Sequence, residues 1–425
     1  MKVNRLLIML MCVFFLTSSI CCLSSAESLD SSDIKWDKKI DISGSDYCED
    51  MIQTDDGDVF IVGYSSNNGW ILKLDDNGNE LWRKTLTKDN ISYIHGIEKI
   101  DGGFILVGNT QESYSTEGDI WLVKLDNDGD EIWSKTVKSE GYSYTGGSVK
   151  KTSDGGYVVF GKALYDKVGN NYGASKGLLL KVNSEGNLVW KKIFGDSGFD
   201  SFDEGMIIDD GSILICGDTN SFDDMWLFKT DENGDEIWNK TLSDSNSNCY
   251  SMLEASDDSI YLIGYDLSTS KDVIIIKTNE DGEVQWQNAY GGNKKERGVS
   301  LLEKDDGNLV AFGSSNSFQD AFNNIFWIFE IDNTGNEIWN TSLYKDSLIT
   351  IHEPRKICET TDGGYLLVGN IYNAQEGRDV WLVKIGGTSQ VQHSTPESDN
   401  TPGFTIAILV ASIGFILFLR RKKLN

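Results

Sequence analysis

The residue types that most often carry chemistry are few in this chain and poorly grouped. It has three histidines, His95, His352 and His393, in 425 residues. No G-x-S-x-G, H-E-x-x-H or C-x-x-C pattern occurs, so there is no nucleophile elbow, zincin helix or redox dithiol. His95 and His352 precede turns of separate repeats that would not be neighbours in a ring, and a structural role is the simpler interpretation of each. No catalytic, cofactor-binding or metal-binding residue is assigned.

Four cysteines remain once a predicted secretion signal is set aside: Cys48, Cys216, Cys249 and Cys358. An extracellular location would permit disulfides between them. Cys48 and Cys358 precede their turns by different numbers of residues on adjacent units, an offset of about 13 Å along the strands, which is too far for a bridge. Cys216 and Cys249 are offset in a similar way. The sequence therefore predicts four free thiols.

Acidic residues recur in D/N-x-x-G turns, where they could bind calcium. The segments LDDNGNE, LDNDGDE, TDENGDE and IDNTGNE place carboxylate and amide oxygens close together. They lack the D-x-[DN]-x-[DN]-G-x5-E spacing of a calcium loop, and a tight hairpin explains Asp and Gly equally well. Calcium is thus an alternative to a purely structural turn, and no other cofactor is predicted.

These turns belong to a unit that occurs seven times. Each copy has an Asp-led turn, an apolar run ending in Gly and a second apolar run, and six copies continue through D/N-x-x-G to a Trp. An Asp-Gly pair between apolar runs predicts a two-residue hairpin, because both central positions of that turn have positive φ. The fifth copy, Asp257-Asp258-Ser259, predicts a looser turn. The closing glycines recur about every 50 residues, at Gly63, Gly108, Gly161, Gly217, Gly264, Gly313 and Gly369.

Each unit is expected to form a four-stranded antiparallel meander. The seventh stops after WLVKIGG without its Trp strand, and DIKWDKKI at residues 33–40 matches the missing piece. An N-terminal strand that completes the last unit would close a ring and remove free sheet edges. The sequence therefore predicts an all-β, seven-bladed β-propeller of four-stranded antiparallel blades, closed by an N-terminal strand, at residues 34–387.

The recurring D-x-x-G-x-x-x-W pattern resembles the repeat of pyrroloquinoline-quinone (PQQ)-type propellers, which implies a quinoprotein-like architecture. The eight blades, central calcium ion and catalytic residues of the quinone dehydrogenases have no counterpart here. Residues 34–387 are more similar to secreted propellers of bacteria and archaea with T-x-D-G-G-Y-I-V-x-G repeats. That resemblance transfers no activity.

Both ends of the chain carry predicted export and anchoring signals. Lys2, Arg5, the apolar run LLIMLMCVFFL and small residues predict a secretory signal at 1–26, cleaved after Ala26. A flexible linker at 388–401 leads to a hydrophobic helix within 402–425, whose basic end would stay in the cytoplasm.

The tripeptide Pro402-Gly403-Phe404, at the start of this segment, resembles the archaeal PGF-type C-terminal sorting signal. The resemblance implies recognition by an archaeosortase, removal of the helix and attachment of the new C terminus to a membrane lipid. A conventional stop-transfer anchor is the alternative. Both place the propeller on the extracellular face of the cell membrane, where the N-x-S/T sites at Asn90, Asn239 and Asn340 become candidates for glycosylation.

Charge and loop lengths narrow the expected function. The formal charge is −28 although both terminal segments are basic, and such an acidic surface disfavours nucleic acid as a partner. We expect a non-enzymatic module that binds a protein, glycan or envelope component through the variable second-to-third-strand loops at 162–177, 314–326 and 370–380. The alternatives are an extracellular quinone- or metal-dependent oxidoreductase or lyase that uses the central channel, and a structural envelope component whose loops carry no ligand.

Overall fold

The computed structural model describes the part of the chain between the two predicted terminal signals. The signal ending at Ala26, the linker at 388–401 and the sorting motif with its helix at 402–425 lie outside the described residues. Within the described part, no helix is long and apolar enough to cross a membrane. The structure describes residues 33–386 except 169–170, 196–197, 220–223, 243–246, 267–271, 319–323 and 345–348.

The described chain forms seven antiparallel sheets of four strands each, the blades of a seven-bladed propeller. Blades 1 to 3 consist of β2 (Asp46–Gln53), β3 (Val59–Ser65), β4 (Asn68–Leu74) and β5 (Glu80–Leu86); β6 (Ile91–Ile100), β7 (Gly103–Gln111), β8 (Asp119–Asp126) and β9 (Glu131–Val137); and β10 (Ser143–Lys151), β11 (Tyr157–Val168), β12 (Asn171–Val182) and β13 (Leu188–Phe194).

Blades 4 to 6 follow the same order, from the innermost strand at the axis to the outermost strand. They consist of β14 (Ser201–Ile207), β15 (Ile213–Thr219), β16 (Asp224–Thr230) and β17 (Glu236–Thr241); β18 (Ser247–Glu254), β19 (Ile260–Asp266), β20 (Val273–Thr278) and β21 (Val284–Tyr290); and β22 (Glu296–Glu303), β23 (Leu309–Ser315), β24 (Ile325–Ile331) and β25 (Glu337–Leu343).

Blade 7 combines strands from both ends of the described chain. Its first three strands are β26 (Ile349–Glu359), β27 (Tyr365–Asn373) and β28 (Gly377–Ile385), and its outermost strand is β1 (Ile34–Ile40). The β1 strand pairs antiparallel with β28, from Ile34 opposite Ile385 to Ile40 opposite Val380.

The hydrophobic core lies between neighbouring blades. In β7, Ile105 and Val107 pack against blade 3, whereas the alternate residues Phe104 and Leu106 pack against blade 1. Side chains alternate between the two faces of a strand, and both faces of each blade are covered by neighbours. This explains why the second and third strands read as nearly continuous apolar runs.

The turns correct the expectation of two-residue hairpins. In blade 1, the amide of Gly57 donates to the carbonyl of Thr54 and the amide of Thr54 donates to the carbonyl of Asp58, which gives a three-residue loop. Only its last residue has positive φ, as in a type I turn followed by a bulge. Six Asp-led turns share this plan, and the fifth is not looser, because Asp258 takes the positive φ. Blade 2 alone turns in two residues, Asp101 and Gly102.

The D/N-x-x-G turns repeat the same three-residue plan and use their own acidic oxygens. Asp75 Oδ1 accepts hydrogen bonds from the amides of Asn77 (3.0 Å) and Asn79 (2.8 Å). Asn183 does the same in blade 3 through its amide oxygen. Because an amide serves as well as a carboxylate, turn geometry accounts for these residues without calcium.

The glycines of these turns also contact the preceding blade. A Cβ on Gly78 would lie 2.7 Å from the ring of Trp36, and Gly186 would meet Trp133 in the same way. The tryptophan of each outermost strand therefore covers the turn glycine of the next blade at six of the seven seams. Trp339 faces no such turn; it is buried, and its Nε1 donates to Glu330 Oε2 at 2.6 Å.

A second tryptophan, at the start of the third strand, needs a hydrogen-bond acceptor on the outermost strand. Trp121 Nε1 donates to Ser134 Oγ at 2.9 Å, and the corresponding acceptor in blade 7 is Asp37, at 3.0 Å. Blade 1 has Arg83 at this position, which can only donate. Trp70 Nε1 is accordingly buried without a partner.

The variable loops differ from expectation, whereas the prediction of four free thiols is confirmed and only the placement of Cys216 and Cys249 differs. Residues 162–177 and 370–380 lie mostly in strands that extend two hairpins rather than in loops. The four cysteines are free thiols. Cys216 and Cys249 are not offset, as the sequence suggested, but lie in one hydrophobic cluster, because a second strand packs against the innermost strand of the next blade.

Replacing Arg83 with serine should give Trp70 the acceptor that blade 2 provides. We expect Arg83→Ser to be more stable to urea unfolding than Arg83→Ala by about 1 kcal/mol, the net value of one hydrogen bond. The alanine variant is the matched control, since both changes remove the contacts of Arg83 with Glu80 and the carbonyl of Asp41. Equal stability of the two variants would contradict the role assigned to the acceptor.

Candidate functional site

Every innermost strand is interrupted by a one-residue bulge at the same height. In β2 the pairing partners skip from Cys48 to Asp50, so Glu49 has no partner on β3. A bulge leaves its extra residue outside the ladder and redirects the side chain. The seven bulged residues, the bulge ring, are Glu49, His95, Gly147, Asp203, Tyr250, Val299 and Arg355.

The bulge ring separates two connected cavities on the propeller axis. The larger has a volume of about 410 Å³ and the smaller about 110 Å³, and all seven ring residues line both. The larger cavity also includes Thr145, Arg297 and Glu353, which precede the bulges. Since each innermost strand runs towards its Asp-led turn, this cavity lies on the face with the variable loops.

The larger cavity has two cations without carboxylate partners in the described part of the chain, one on blade 3 and one on blade 6. Lys162 and Arg297 line it, and neither forms an ion pair with any described residue. The guanidinium carbon of Arg297 lies 4.1 Å from the ring centre of Tyr250, and the Tyr250 ring is stacked on Tyr265. Arg297 Nε is buried without a hydrogen-bond partner. The aromatic stack therefore positions a cation whose charge is not neutralised by direct contact.

A second arginine–tyrosine stack, at blades 7 and 1, is neutralised. The guanidinium of Arg378 lies 4.5 Å from the ring centre of Tyr47 and pairs with Glu353. Arg355 lies 3.6 Å from Glu49 and 3.9 Å from Glu353. The cations on this side of the cavity thus already have carboxylate partners.

Two buried carboxyl groups of blade 4, those of Asp203 and Asp218, have raised pKa values. Burial raises the pKa of Asp203, although the charges of Lys162 and Arg297 act in the opposite direction. Burial and the neighbouring Asp203 raise the pKa of Asp218 to about 8. Asp218 accepts hydrogen bonds from Asn248 Nδ2 at 2.7 Å and from the Cys249 amide at 2.8 Å, so it ties two blades together.

Both inner-strand histidines line the larger cavity, which the sequence analysis did not foresee. Burial lowers the pKa of His95 and lowers that of His352 to about 4, so both rings are neutral at pH 7. His95 Nε2 lies 2.8 Å from Asn109 Oδ1, which can only accept. Nε2 therefore carries the proton, and His95 Nδ1 is an acceptor.

The smaller cavity, towards the Asp-led turns, has a different charge pattern. It is lined by Asp50, Glu204 and Lys356 in addition to the bulge ring. Burial alone would raise the pKa of Glu204, but the charges of Lys356 and Lys150 outweigh it and lower the pKa. Lys356 Nζ lies 3.5 Å from Glu204 Oε1. The smaller cavity is thus lined by carboxylates whose charge is partly neutralised by Lys356.

One acidic cluster in the described part of the chain has the spacing of a metal site but lies away from the axis. Asp41, Asp46 and Asp379 bring carboxylate oxygens within 4.8 Å of one another at the seam of blades 7 and 1. Asp46 accepts from the amides of Ile42 and Ser43, and Asp379 lies 3.0 Å from Lys39. The carboxylates of Asp46 and Asp379 are thus already engaged within the protein.

None of the three glycosylation candidates lines the cavity. Asn90 is exposed between blades 1 and 2, and Asn239 and Asn340 are exposed on outermost strands. The side-chain oxygen of Asn340 accepts a hydrogen bond from Trp327 Nε1 at 3.3 Å, and that of Asn239 accepts one from Trp226 Nε1 at 3.5 Å.

The sequence analysis assigned none of the residues that line the cavity to a site. The available signal was the residue 13 or 14 positions before each closing glycine, which is the bulged residue in all seven blades.

Comparison with known proteins supports the fold. The sequence matches no protein-family model and no curated protein. Among solved structures, the chain is similar to a polysaccharide lyase, the PL25 ulvan lyase, with 9% identity over 82% of this chain and 97% of that chain and a TM-score of 0.56. It is also similar to the WD40 domain of Neurospora crassa Pan2, with 10% identity over 81% and 90% and a TM-score of 0.50. At these identities the similarity shows a shared propeller fold.

The raised pKa of Asp218 predicts a specific loss of stability with rising pH. Between its unfolded pKa of about 3.9 and its folded pKa of about 8, the folded state holds a proton that the unfolded state has released. Unfolding free energy should therefore fall from pH 5 to pH 8, and it should fall less in Asp218→Asn. Urea unfolding measures the difference, with the exposed Asp128→Asn as control. Equal pH slopes in parent and Asp218→Asn would contradict the assignment.

Proposed function

We propose that the protein is a non-enzymatic binding module that takes a polar ligand, part of a glycan or another envelope component, into the central cavity from the variable-loop face. One observation carries the proposal. The turns and tryptophans of the blades repeat, whereas the bulge ring presents seven different residues at one repeated position. A scaffold requirement would favour similar residues at equivalent positions, so a ring of different residues indicates selection for a ligand rather than for packing.

The cavity has the size and placement of a ligand site. Its volume of about 410 Å³ lies within the usual range of roughly 300–1,000 Å³ for small-ligand pockets. Two hairpins, that of β11 and β12 and that of β27 and β28, extend beyond their closing glycines on the same face of the propeller. We propose that these hairpins, rather than flexible loops, form the outer walls against which a longer ligand rests.

We also propose that the propeller is tethered to the extracellular face of the cell membrane. The support is the N-terminal signal ending at Ala26 and the Pro402-Gly403-Phe404 motif before an apolar, basic-ended segment. A binding module on the cell surface would then present its variable-loop face to envelope polymers. Glycans on Asn239 and Asn340 would leave the cavity open, because these residues are exposed on outermost strands, whereas Asn90 is exposed on a connection.

An enzyme acting in the same cavity is the second candidate, and one observation favours it. The neutral imidazole of His95 has an accepting Nδ1 and lines the cavity that also holds Arg297. A neutral imidazole can act as a general base, for example in a lyase reaction. Release of unsaturated product from an incubated polysaccharide would establish that activity. Its absence, with binding retained, would support the binding module.

Filling the cavity should abolish ligand binding. Thermal unfolding of the full-length protein would be measured with soluble envelope glycans, divalent metals and quinone cofactors. We expect a glycan-dependent rise in melting temperature for the parent and none for Val299→Trp, which places a large ring within the bulge ring. Val284→Trp, the same change on an exposed position of β21, is the control and should behave as the parent. A rise with calcium or quinone alone, or one unaffected by Val299→Trp, would contradict the proposal.

The mass of the membrane-extracted protein tests the tether. Removal of the C-terminal helix, as the sorting-signal resemblance implies, should leave no peptide from residues 404–425, and the new C terminus should carry lipid. Mass spectrometry of the intact and digested protein measures both. Recovery of a 404–425 peptide would contradict removal and indicate a stop-transfer anchor.

A further inference from the structure

The cavity concentrates positive charge in an otherwise acidic protein. The chain has a formal charge of −28, yet four cationic side chains line the larger cavity, Lys162, Lys295, Arg297 and Arg355. Three carboxylates line it as well, and two of these, Glu49 and Glu353, contact Arg355. An acidic exterior repels polyanions in general. An anionic group would therefore find a favourable charge environment beside the cations of the cavity.

Arg297 is prepared for a planar anion. Its guanidinium is held by Tyr250 at 4.1 Å, with the ring of Tyr265 at 5.7 Å, and its Nε is buried without a partner. Lys162 lines the same cavity without an ion pair to any described residue. A guanidinium that lies over an aromatic ring and has no carboxylate partner can offer two parallel N–H groups to the two oxygens of a carboxylate.

Neutral polar groups occupy much of the remaining wall. His95 offers an accepting Nδ1, and Thr145, Ser314 and Asn324 contribute further polar atoms. Few apolar side chains are present, chiefly Phe202, Val299 and Pro354. Pockets for typical small molecules are mostly apolar, whereas a wall of this kind suits a ligand with many hydroxyl groups. An acidic peptide has fewer hydroxyls and relies more on apolar contacts.

We infer that the cavity binds an acidic saccharide, whose carboxylate pairs with Arg297 and whose hydroxyl groups bond to the neutral polar wall, with Lys162 adding positive charge to the same cavity. This inference rests on the proposed function and specifies its ligand class. Asp203 lines the same cavity, where the charges of Lys162 and Arg297 act on it, and it forms no ion pair with Arg297 or Arg355. It sets a limit on affinity, because its charge opposes that of the ligand.

Calorimetric titration of the full-length protein tests the inference with three matched probes: a glucuronyl-glucose disaccharide, cellobiose and diglutamate. We expect the uronate to bind at least about tenfold more tightly than cellobiose, the effect of one charged hydrogen-bonding group. Arg297→Gln and Arg297→Lys should each weaken uronate binding by about tenfold to a hundredfold, since the lysine cannot form the planar pair. Lys135→Gln, the same loss of charge on the exposed face of β9, is the control and should bind as the parent.

A variant that gains affinity guards against loss of folding. Asp203→Asn removes the opposing charge and should bind the uronate several-fold more tightly than the parent. Equal binding of cellobiose, or unchanged binding in both Arg297 variants, would overturn the inference but leave the proposed function standing if Val299→Trp still abolishes binding. Tighter binding of diglutamate than of the uronate would overturn the saccharide assignment. No effect of Val299→Trp on any bound probe would instead overturn the proposed function.

Discussion

The contact between an outermost-strand tryptophan and the turn glycine of the next blade is the constraint on which the ring depends. In a propeller each blade touches only its two neighbours, so the stability of the whole is set at the seams. Trp36 on Gly78 and Trp133 on Gly186 show why the turn residue must lack a side chain: the indole occupies the space where a Cβ would lie. The same glycine supplies the positive φ that ends the three-residue loop. One residue thus meets a local and a long-range requirement together.

The blade architecture was readable from the sequence because its determinants are local and repeated. Seven Asp-led turns, seven apolar runs ending in glycine and the Trp strands indicate the number of blades and the meander within each. The details of the turns were not readable. Whether an Asp-Gly pair closes a two- or three-residue loop depends on the pairing of the flanking strands, as the contrast between Gly102 and Gly57 shows. Asp258 takes a positive φ that the sequence pattern reserves for glycine.

The cavity was not readable because its residues are about 50 positions apart and are made equivalent only by a one-residue shift in pairing. His95 and His352 were set aside because blades 2 and 7 are not neighbours, yet every innermost strand faces the same axis. The Cys216–Cys249 contact was missed for a related reason. Position within a blade says little about contacts between blades, because the second strand of one blade packs on the innermost strand of the next.

The bulges have a consequence for how such a protein changes over time. A bulged residue contributes no rung to the ladder, so its side chain can be exchanged while the sheet around it stays paired. Glycine, valine, tyrosine and arginine are all accommodated at this one position, at Gly147, Val299, Tyr250 and Arg355. The seven residues of the bulge ring can therefore be substituted one at a time without changing the residues that build the blades. New ligand preferences can arise by single substitutions in a fold that need not be rebuilt.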